Sequence, residues 1–185
     1  MLKTIESKIL LRWWQSLMLS EQELKNSDGY VRPAPSGEKA KLKRASSVEA
    51  VMMQDAFRSL WLQLPEDTTK RTEDLERWAV IATVLMYVSP GHVDNLAKAA
   101  GHKQEISGKS IVSEMRFSQL QAAKTPNELL RTLRRLLQLI KGKTDPLLLA
   151  NDIDQWFYEY NQSYPRQVKD RIAVRWAMDY YRSAK

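Results

Sequence analysis

The stretch from Pro126 to Lys141 (PNELLRTLRRLLQLIK) constrains the fold most strongly, because its apolar residues recur at helical spacing. At about 100° per residue, five of them fall on one face: Leu129, Leu133, Leu136, Leu137 and Ile140. Arg131, Arg134 and Arg135 fall on the opposite face. The pattern predicts an amphipathic helix that buries its leucines and holds three guanidinium groups in solvent.

The start of this helix has its own signal. Thr125 stands where an N-cap belongs, Pro126 stands at the first helical position, and Glu128 follows three residues after the cap. This arrangement is typical of a capping box, in which the cap and the glutamate exchange hydrogen bonds with each other's backbone amides. We therefore expect the helix to begin at Pro126.

Helical periodicity also dominates the rest of the chain, and strand alternation is nearly absent. The further predicted helices are 4–24, 39–44, 48–64, 71–88, 93–100, 111–123, 146–160 and 166–182. The polar segment 101–110 is poor in core residues and predicts an interdomain linker. We expect an all-α protein of two small helical bundles, residues 1–108 and 109–185.

Composition limits the cellular compartments in which the chain is expected to work. The longest apolar run, Trp78 to Val88, is too short to span a membrane. The first 19 residues contain charged side chains and no small-residue cleavage site, so they indicate a helix and not a signal peptide. There is no cysteine, which excludes disulfides and thiolate chemistry and is compatible with a reducing cytosol. We expect a cytoplasmic protein without membrane contact.

The net charge of +7 is unevenly placed. Residues 1–108 carry 15 Lys and Arg against 14 Asp and Glu, whereas residues 109–185 carry 14 against 8. A positive excess concentrated in one part favours a polyanionic partner. A charge that serves only solubility is the alternative, and composition alone does not decide between them.

Motifs for catalysis or cofactor binding are weak. The segment Ser107-Gly108-Lys109-Ser110 resembles the end of a phosphate-binding loop, but a lysine occupies position 103, where that motif needs glycine, and a helix precedes it in place of a strand. His92 and His102 have no carboxylates at ligand spacing. We therefore expect no enzymatic activity, no metal and no cofactor.

The two aspartates of the predicted helix 146–160 do not form a catalytic pair either. Asp152 and Asp154 lie two residues apart, so they point in different directions. We expect both to face solvent and to pair with nearby arginines.

The tryptophans have two possible roles. They are Trp13, Trp14, Trp61, Trp78, Trp156 and Trp176. Exposed indole rings could stack on nucleic-acid bases. Five of the six lie within apolar helical patterns, however, so core packing is the favoured interpretation.

Basic residues cluster in three places. The first cluster is Lys39, Lys41, Lys43 and Arg44; the second is the row Arg131, Arg134 and Arg135; the third is Arg166, Lys169, Arg171, Arg175 and Arg182. Each residue taken singly fits an ordinary solvated surface. Three clusters with few acidic neighbours favour binding to a phosphate backbone.

The C-terminal half resembles a known family. The segments SEMRFSQLQAAKTPNELLRTLRRLLQLIKGK, LLLANDIDQW and VRWAMDYY are similar to those of the CasB family, the small subunit of the type I-E CRISPR surveillance complex Cascade. In the N-terminal half, an Arg-Trp-Trp near the start and the segments GEKAKLKRASSVE and DAFRSLW agree more loosely.

The resemblance implies a non-catalytic all-α protein of two bundles. It implies head-to-tail pairing with a second copy, contacts with the large subunit and the backbone subunits of Cascade, and basic surfaces that hold crRNA paired with target DNA and the displaced strand. The family's basic positions fall on Lys43, Arg44, Arg116, Arg134 and Arg135, and with less regular spacing on Arg166 and Lys169. Lys124 stands where the family has an arginine-rich turn.

Two alternatives remain open at this point. Residues 148–175 could form a helix-turn-helix of a sequence-specific regulator, with Arg166, Lys169 and Lys185 reaching DNA. The basic faces could instead meet acidic protein surfaces in a purely structural adaptor.

Overall fold

The computed structural model describes residues 1–26, 31–66, 72–161 and 167–185. Within these ranges the protein is all-α, as predicted, with an isolated bridge between Lys103 and Ser110 and no β-strand. The helices are α1 Thr4–Met18, α2 Glu21–Lys25, α3 Glu38–Arg44, α4 Val48–Met52, α5 Asp55–Trp61, α6 Thr72–Leu85, α7 Leu96–Gly101, α8 Glu114–Gln121, α9 Pro126–Leu139, α10 Pro146–Tyr160 and α11 Ile172–Ala184. Among the helices of the described residues, none has the length and hydrophobicity that a membrane-spanning helix needs.

The chain divides into two compact units. The N-terminal unit spans Leu2–Met86, and the C-terminal unit spans Tyr87–Lys185 together with Met1. The N-terminal unit contains α1 to α6, and the C-terminal unit contains α7 to α11.

Helix α6 is the centre of the N-terminal unit. From Trp78 onward every side chain of this helix is buried, which explains why the sequence there is apolar on all sides. Neighbouring helices are fixed to it by buried hydrogen bonds: Trp14 Nε1 donates to the carbonyl of Leu85 at 3.0 Å, and Thr83 Oγ1 donates to that of Leu42 at 2.7 Å.

Two long helices predicted for this unit are each broken. The first ends at Met18, and Ser20 caps a new helix by accepting from the amide of Glu23, whose carboxylate accepts from the amide of Ser20 in return. The second is interrupted at Met53 and Gln54. There, Glu38 Oε2 accepts from the amide of Ala56 at 3.0 Å, so a carboxylate from α3 satisfies an otherwise open amide at the start of α5.

The C-terminal unit is organised by α11, which packs against α7. Asn95 Nδ2, at the N-cap of α7, donates to Asp179 Oδ2 at 2.7 Å. The ring of Tyr180 stacks on that of Phe117 with centroids 4.4 Å apart, and its hydroxyl donates to the carbonyl of Val112 at 2.7 Å. These contacts join the two ends of the unit's sequence.

The segment 101–110, predicted to be an interdomain linker, lies inside the C-terminal unit. The segment forms a closed turn within the C-terminal unit, in which the amide of Gln104 donates to the carbonyl of Lys109 at 2.9 Å and that of Ile111 donates to His102 at 2.8 Å. Polar composition suggested a flexible connection, but backbone hydrogen bonds that composition does not reveal hold the turn. The chain divides after Met86 and not at the predicted 108/109 boundary.

Core packing of tryptophan is confirmed for five of the six residues. Trp13, Trp14, Trp78, Trp156 and Trp176 are all at most 7% exposed, and Trp61 is half-buried.

Candidate nucleic-acid interface

Helix α9 begins at Pro126, as its cap signal predicts. Thr125 Oγ1 accepts a hydrogen bond from the amide of Glu128 at 3.2 Å. The second half of the predicted capping box is displaced by one residue, because Glu128 Oε2 accepts from the amide of Lys124 at 2.8 Å. The predicted apolar face is buried throughout.

The three arginines on the other side of α9 differ in their solvent exposure. Arg131 and Arg135 are exposed, as predicted. Arg134 is half-buried, and its guanidinium carbon lies 5.9 Å from the ring centre of Tyr87. Burial lowers the pKa of Arg134, while the electrostatic effect of Tyr87 acts in the opposite direction. The prediction that all three side chains extend into solvent is therefore wrong for Arg134.

Helices α8 and α9 enclose a groove of about 490 Å³. Arg116 from α8 and Arg135 from α9 line it, together with polar Gln119, Thr132 and Gln138 and apolar Leu136 and Leu139. We call this the α8–α9 groove. Arg116 and Arg135 are exposed, and neither forms a salt bridge with any residue that the structure describes. Two guanidinium groups that lie 19 residues apart in sequence are thus brought to one concave surface.

Arg116 also lines a second cavity, of about 640 Å³, which contains Lys109 and Tyr181. Tyr181 donates a hydrogen bond from its hydroxyl to Glu114, which raises the pKa of Tyr181. Sequence reasoning missed Lys109 as a possible contact because it took the surrounding turn for a linker. Gln119, Thr132 and Gln138 carry no sequence signal that separates them from other surface polar residues.

Lys124 lies between α8 and α9 with its side chain exposed. Its backbone amide donates to Glu128, and its ammonium group forms no salt bridge with a described residue. Its ammonium group is therefore presented to solvent, next in sequence to the start of α9.

The cluster Lys39–Arg44 lies on α3 in the N-terminal unit, and its members differ. Lys41 Nζ forms a salt bridge with Glu38 Oε1 at 2.6 Å, and this hydrogen bond raises the pKa of Lys41. Lys43 is half-buried; burial, followed by repulsion from Lys39, lowers its pKa. Arg44 is exposed and has no salt bridge within the described chain.

The last basic cluster departs from its predicted helix. Helix α11 begins at Ile172, Arg171 is its N-cap with extended backbone (φ −64°, ψ 138°), and Lys169 lies in a 3₁₀ turn, Val168–Asp170. Val168, in the same turn, is 61% exposed. Arg166 lies outside the described residues. The exposed Lys169 and Arg171 therefore precede the helix and do not form a stripe along it.

Two arginines of α11 have carboxylate partners. Arg175 Nη2 lies 3.5 Å from Asp152 Oδ1, and Arg182 Nη1 lies 3.9 Å from Asp179 Oδ1. Part of the positive charge of this helix is thus compensated within the C-terminal unit.

The prediction that Asp152 and Asp154 face solvent is wrong. Both are buried, at 5% and 6% exposure. Burial raises the pKa of Asp152 to about 6, although the Trp176 hydrogen bond and the charge of Arg175 oppose the shift. The spacing of two residues placed them on different sides of the helix but did not show that both sides are covered.

The helix-turn-helix alternative finds little support in the connection between α10 and α11. The connection between α10 and α11 comprises residues 161–171. It is much longer than the turn of three or four residues that joins the helices of a helix-turn-helix. Among the described residues no three potential ligands are grouped in a way that could hold a metal ion.

Comparison with known protein families gives a match over most of the chain. The family model described as CRISPR-associated protein Cse2 matches residues 38–181, a range that includes α3 to α10 and most of α11. No curated protein and no solved structure matches the chain. Because the match covers well over half of the 185 residues, the chain belongs to the Cse2 family, also called CasB, the small subunit of the type I-E CRISPR complex Cascade.

Proposed function

We propose that this Cascade subunit binds nucleic-acid phosphates without sequence preference through the α8–α9 groove. The observation that carries the proposal is the presence of Arg116 and Arg135, both exposed and without carboxylate partners in the described chain, on one concave surface. Guanidinium groups suit phosphate oxygens because they offer several N–H donors in a fixed plane.

The ligand of this surface is crRNA paired with target DNA, together with the displaced DNA strand. In RNA-guided recognition, base pairing reads the sequence, and the protein supplies contacts to the backbone. Strand exchange is nearly balanced in free energy, so a few phosphate contacts suffice to favour the opened state. Lys124 and Arg131, both exposed, extend the same positive surface along α9 and its N-terminal approach.

Secondary contacts come from Arg44 and Lys169, which are exposed and lack carboxylate partners in the described chain. Lys41 and Arg175 contribute less, because Glu38 and Asp152 compensate them. Lys43 and Arg134 are half-buried, so they are less available to phosphate than the exposed basic residues are.

The role is non-catalytic and cytoplasmic, and the subunit bridges the large subunit and the backbone subunits as a pair of copies. The support for these points is the family membership, together with the sequence resemblance that accompanies it. Positioning of nucleic acid by phosphate contacts needs no reactive group in the protein.

The test is the salt dependence of target binding by assembled Cascade. The double variant Arg116→Glu/Arg135→Glu should bind target DNA more weakly. Its plot of log affinity against log salt concentration should be shallower by about 0.7 to 0.9 for each phosphate that the variant no longer neutralises. The variant Lys8→Glu/Lys25→Glu changes the net charge equally, at exposed positions outside the matched range, and should keep the original slope.

An unchanged slope in a folded, incorporated Arg116→Glu/Arg135→Glu variant would overturn the proposal. Failure of that variant to enter Cascade, with target binding by the remaining subunits unaffected, would indicate the adaptor role. A strong preference of the wild-type subunit for one duplex sequence would instead indicate a regulator.

A further inference from the structure

An exposed tyrosine ring lies against a buried tryptophan ring at the end of α10. The ring centroids of Tyr160 and Trp156 are 5.0 Å apart, and the planes differ by 11°. Trp156 is 7% exposed and Tyr160 is 44% exposed. Phe157 meets Tyr160 edge-on at 6.2 Å. The tyrosine is therefore held in place by its neighbours while a large part of its ring faces solvent.

A cavity of about 190 Å³ opens beside this ring pair. Its wall includes both rings, Ala123 and Ile172. Glu159 also lines it, but Oε1 of that carboxylate accepts from the amide of Ile172 at 2.7 Å and from Gln155 Nε2 at 2.9 Å. The wall thus offers aromatic and aliphatic surface, with its carboxylate engaged by donors from the protein.

Basic residues flank the cavity along the chain. Lys124 follows Ala123 directly, and Lys169 and Arg171 precede Ile172. The side chains of Lys124 and Lys169 are exposed and form no salt bridge with a described residue. Proteins hold single strands with aromatic surfaces and nearby cations, since bases stack on the rings while the cations neutralise the phosphates.

We infer that Tyr160, supported by Trp156, stacks an unpaired base of a single-stranded nucleic acid whose phosphates are neutralised by Lys124 and Lys169. The inference rests on the proposed function and adds a contact that a duplex does not offer, because paired bases are already stacked on one another. On this inference, the unpaired strand binds at the C-terminal end of α10, in the C-terminal unit.

The test compares strands of equal charge with and without bases. Affinities of the full-length protein are measured for a thymidine oligomer of about 12 nucleotides and for an abasic oligomer of the same length, with a uridine oligomer as the RNA arm. One stacked base should make the base-containing strand bind roughly five- to hundredfold more tightly. Tyr160→Leu should lose most of this ratio, and Tyr160→Phe should keep it.

Tyr158→Leu is the matched control, because Tyr158 is 53% exposed on the same helix and belongs to none of the described ring pairs. It should leave the ratio unchanged. Affinity for the abasic oligomer and its salt dependence should be the same in all variants. A preference for thymidine over uridine oligomers, or the reverse, identifies which single strand occupies the site.

Equal affinity of the wild type for both strands, with the salt dependence intact, would overturn the stacking inference and leave the phosphate proposal standing. Binding of neither strand would overturn both. If Tyr160→Leu kept the ratio but no longer assembled with the other Cascade subunits, the ring would belong to a protein contact, and the inference would be wrong.

Discussion

Trp176 Nε1 donates a hydrogen bond to Asp152 Oδ2 at 2.9 Å and thereby ties α11 to α10. The other carboxylate oxygen lies 3.5 Å from Arg175 Nη2, at the edge of hydrogen-bonding distance. The acceptor is buried, and neither partner fully offsets the cost of holding a negative charge there, so the pKa of Asp152 rises to about 6.

This geometry predicts how stability depends on pH. Because the pKa is raised above its ordinary value of 3.8, the folded protein binds the proton more tightly than the unfolded chain does. The contribution of Asp152 to stability is then most favourable below pH 4 and is lost as the pH rises through 6. Asp152→Asn keeps an acceptor for Trp176 and removes the charge.

We expect Asp152→Asn to raise the free energy of unfolding at pH 7.5 by up to about 3 kcal/mol, and to have no such advantage at pH 4. Urea unfolding followed by tryptophan fluorescence at several pH values measures both quantities. A difference between variant and wild type that stays constant from pH 4 to 7.5 would contradict the assignment.

Removal of the Glu38 carboxylate should destabilise the N-terminal unit. Its carboxylate satisfies the amide of Ala56, so Glu38→Ala leaves that buried donor open and should cost about 1–3 kcal/mol. Glu38→Gln retains an acceptor and should cost less. Chemical unfolding ranks the two variants, and an equal loss for both would show that the hydrogen bond to Ala56 contributes little.

Gly142 occupies a position where a side chain should not be tolerated. Its φ is 71°, and an added Cβ would lie 2.4 Å from the carbonyl oxygen of Tyr87 and 2.8 Å from the amide of Ser89. Gly142→Ala combines left-handed strain with this clash and should lower the unfolding free energy by about 3 kcal/mol or more.

Gly91 provides the control for this prediction. Its φ is 82°, but an added Cβ would meet no atom within 4 Å. Gly91→Ala should therefore cost only the backbone strain, about 1–2 kcal/mol. Equal losses in the two variants, measured by the same urea titration, would argue against the close approach at Gly142.

Alanine substitutions of Arg134 and Arg131 should differ in their effect on protein stability, although both residues lie on α9. Arg134→Ala removes a guanidinium that lies over Tyr87, together with its packed alkyl chain, and should cost about 1–2 kcal/mol. Arg131→Ala at an exposed position should stay within about 0.5 kcal/mol of the wild type. Thermal unfolding of both variants checks the order, and the reverse order would contradict the burial of Arg134.

The sequence predicted α9 and α10 well because periodicity, caps and proline positions agree there. Pro146–Tyr160 has the predicted bounds, and the N-terminus of α9 follows Thr125. It did not predict the break before Asp55, because the group that supports α5 there is a carboxylate from α3. A contact between residues distant in sequence leaves no local pattern.

In the candidate site, too, contacts between residues distant in sequence could not be predicted. Periodicity identified Arg131, Arg134 and Arg135 as one row, but it could not reveal that Tyr87 covers part of Arg134. The family resemblance pointed to Arg116, yet only the packing of α8 against α9 places it in a groove with Arg135. Burial of Asp152 likewise depends on α11, which comes 20 residues later in the chain.

The division of the chain after Met86 has a practical consequence for dissecting the protein into fragments. A fragment that begins at residue 109 would lack α7, and the face of α11 that packs against α7 would be left bare. Gly101 lies so close to α11 that an added Cβ would be 2.4 Å from the carbonyl oxygen of Tyr180. A fragment that begins at Tyr87 keeps this contact, so proteolysis or truncation experiments on the basic half should cut there.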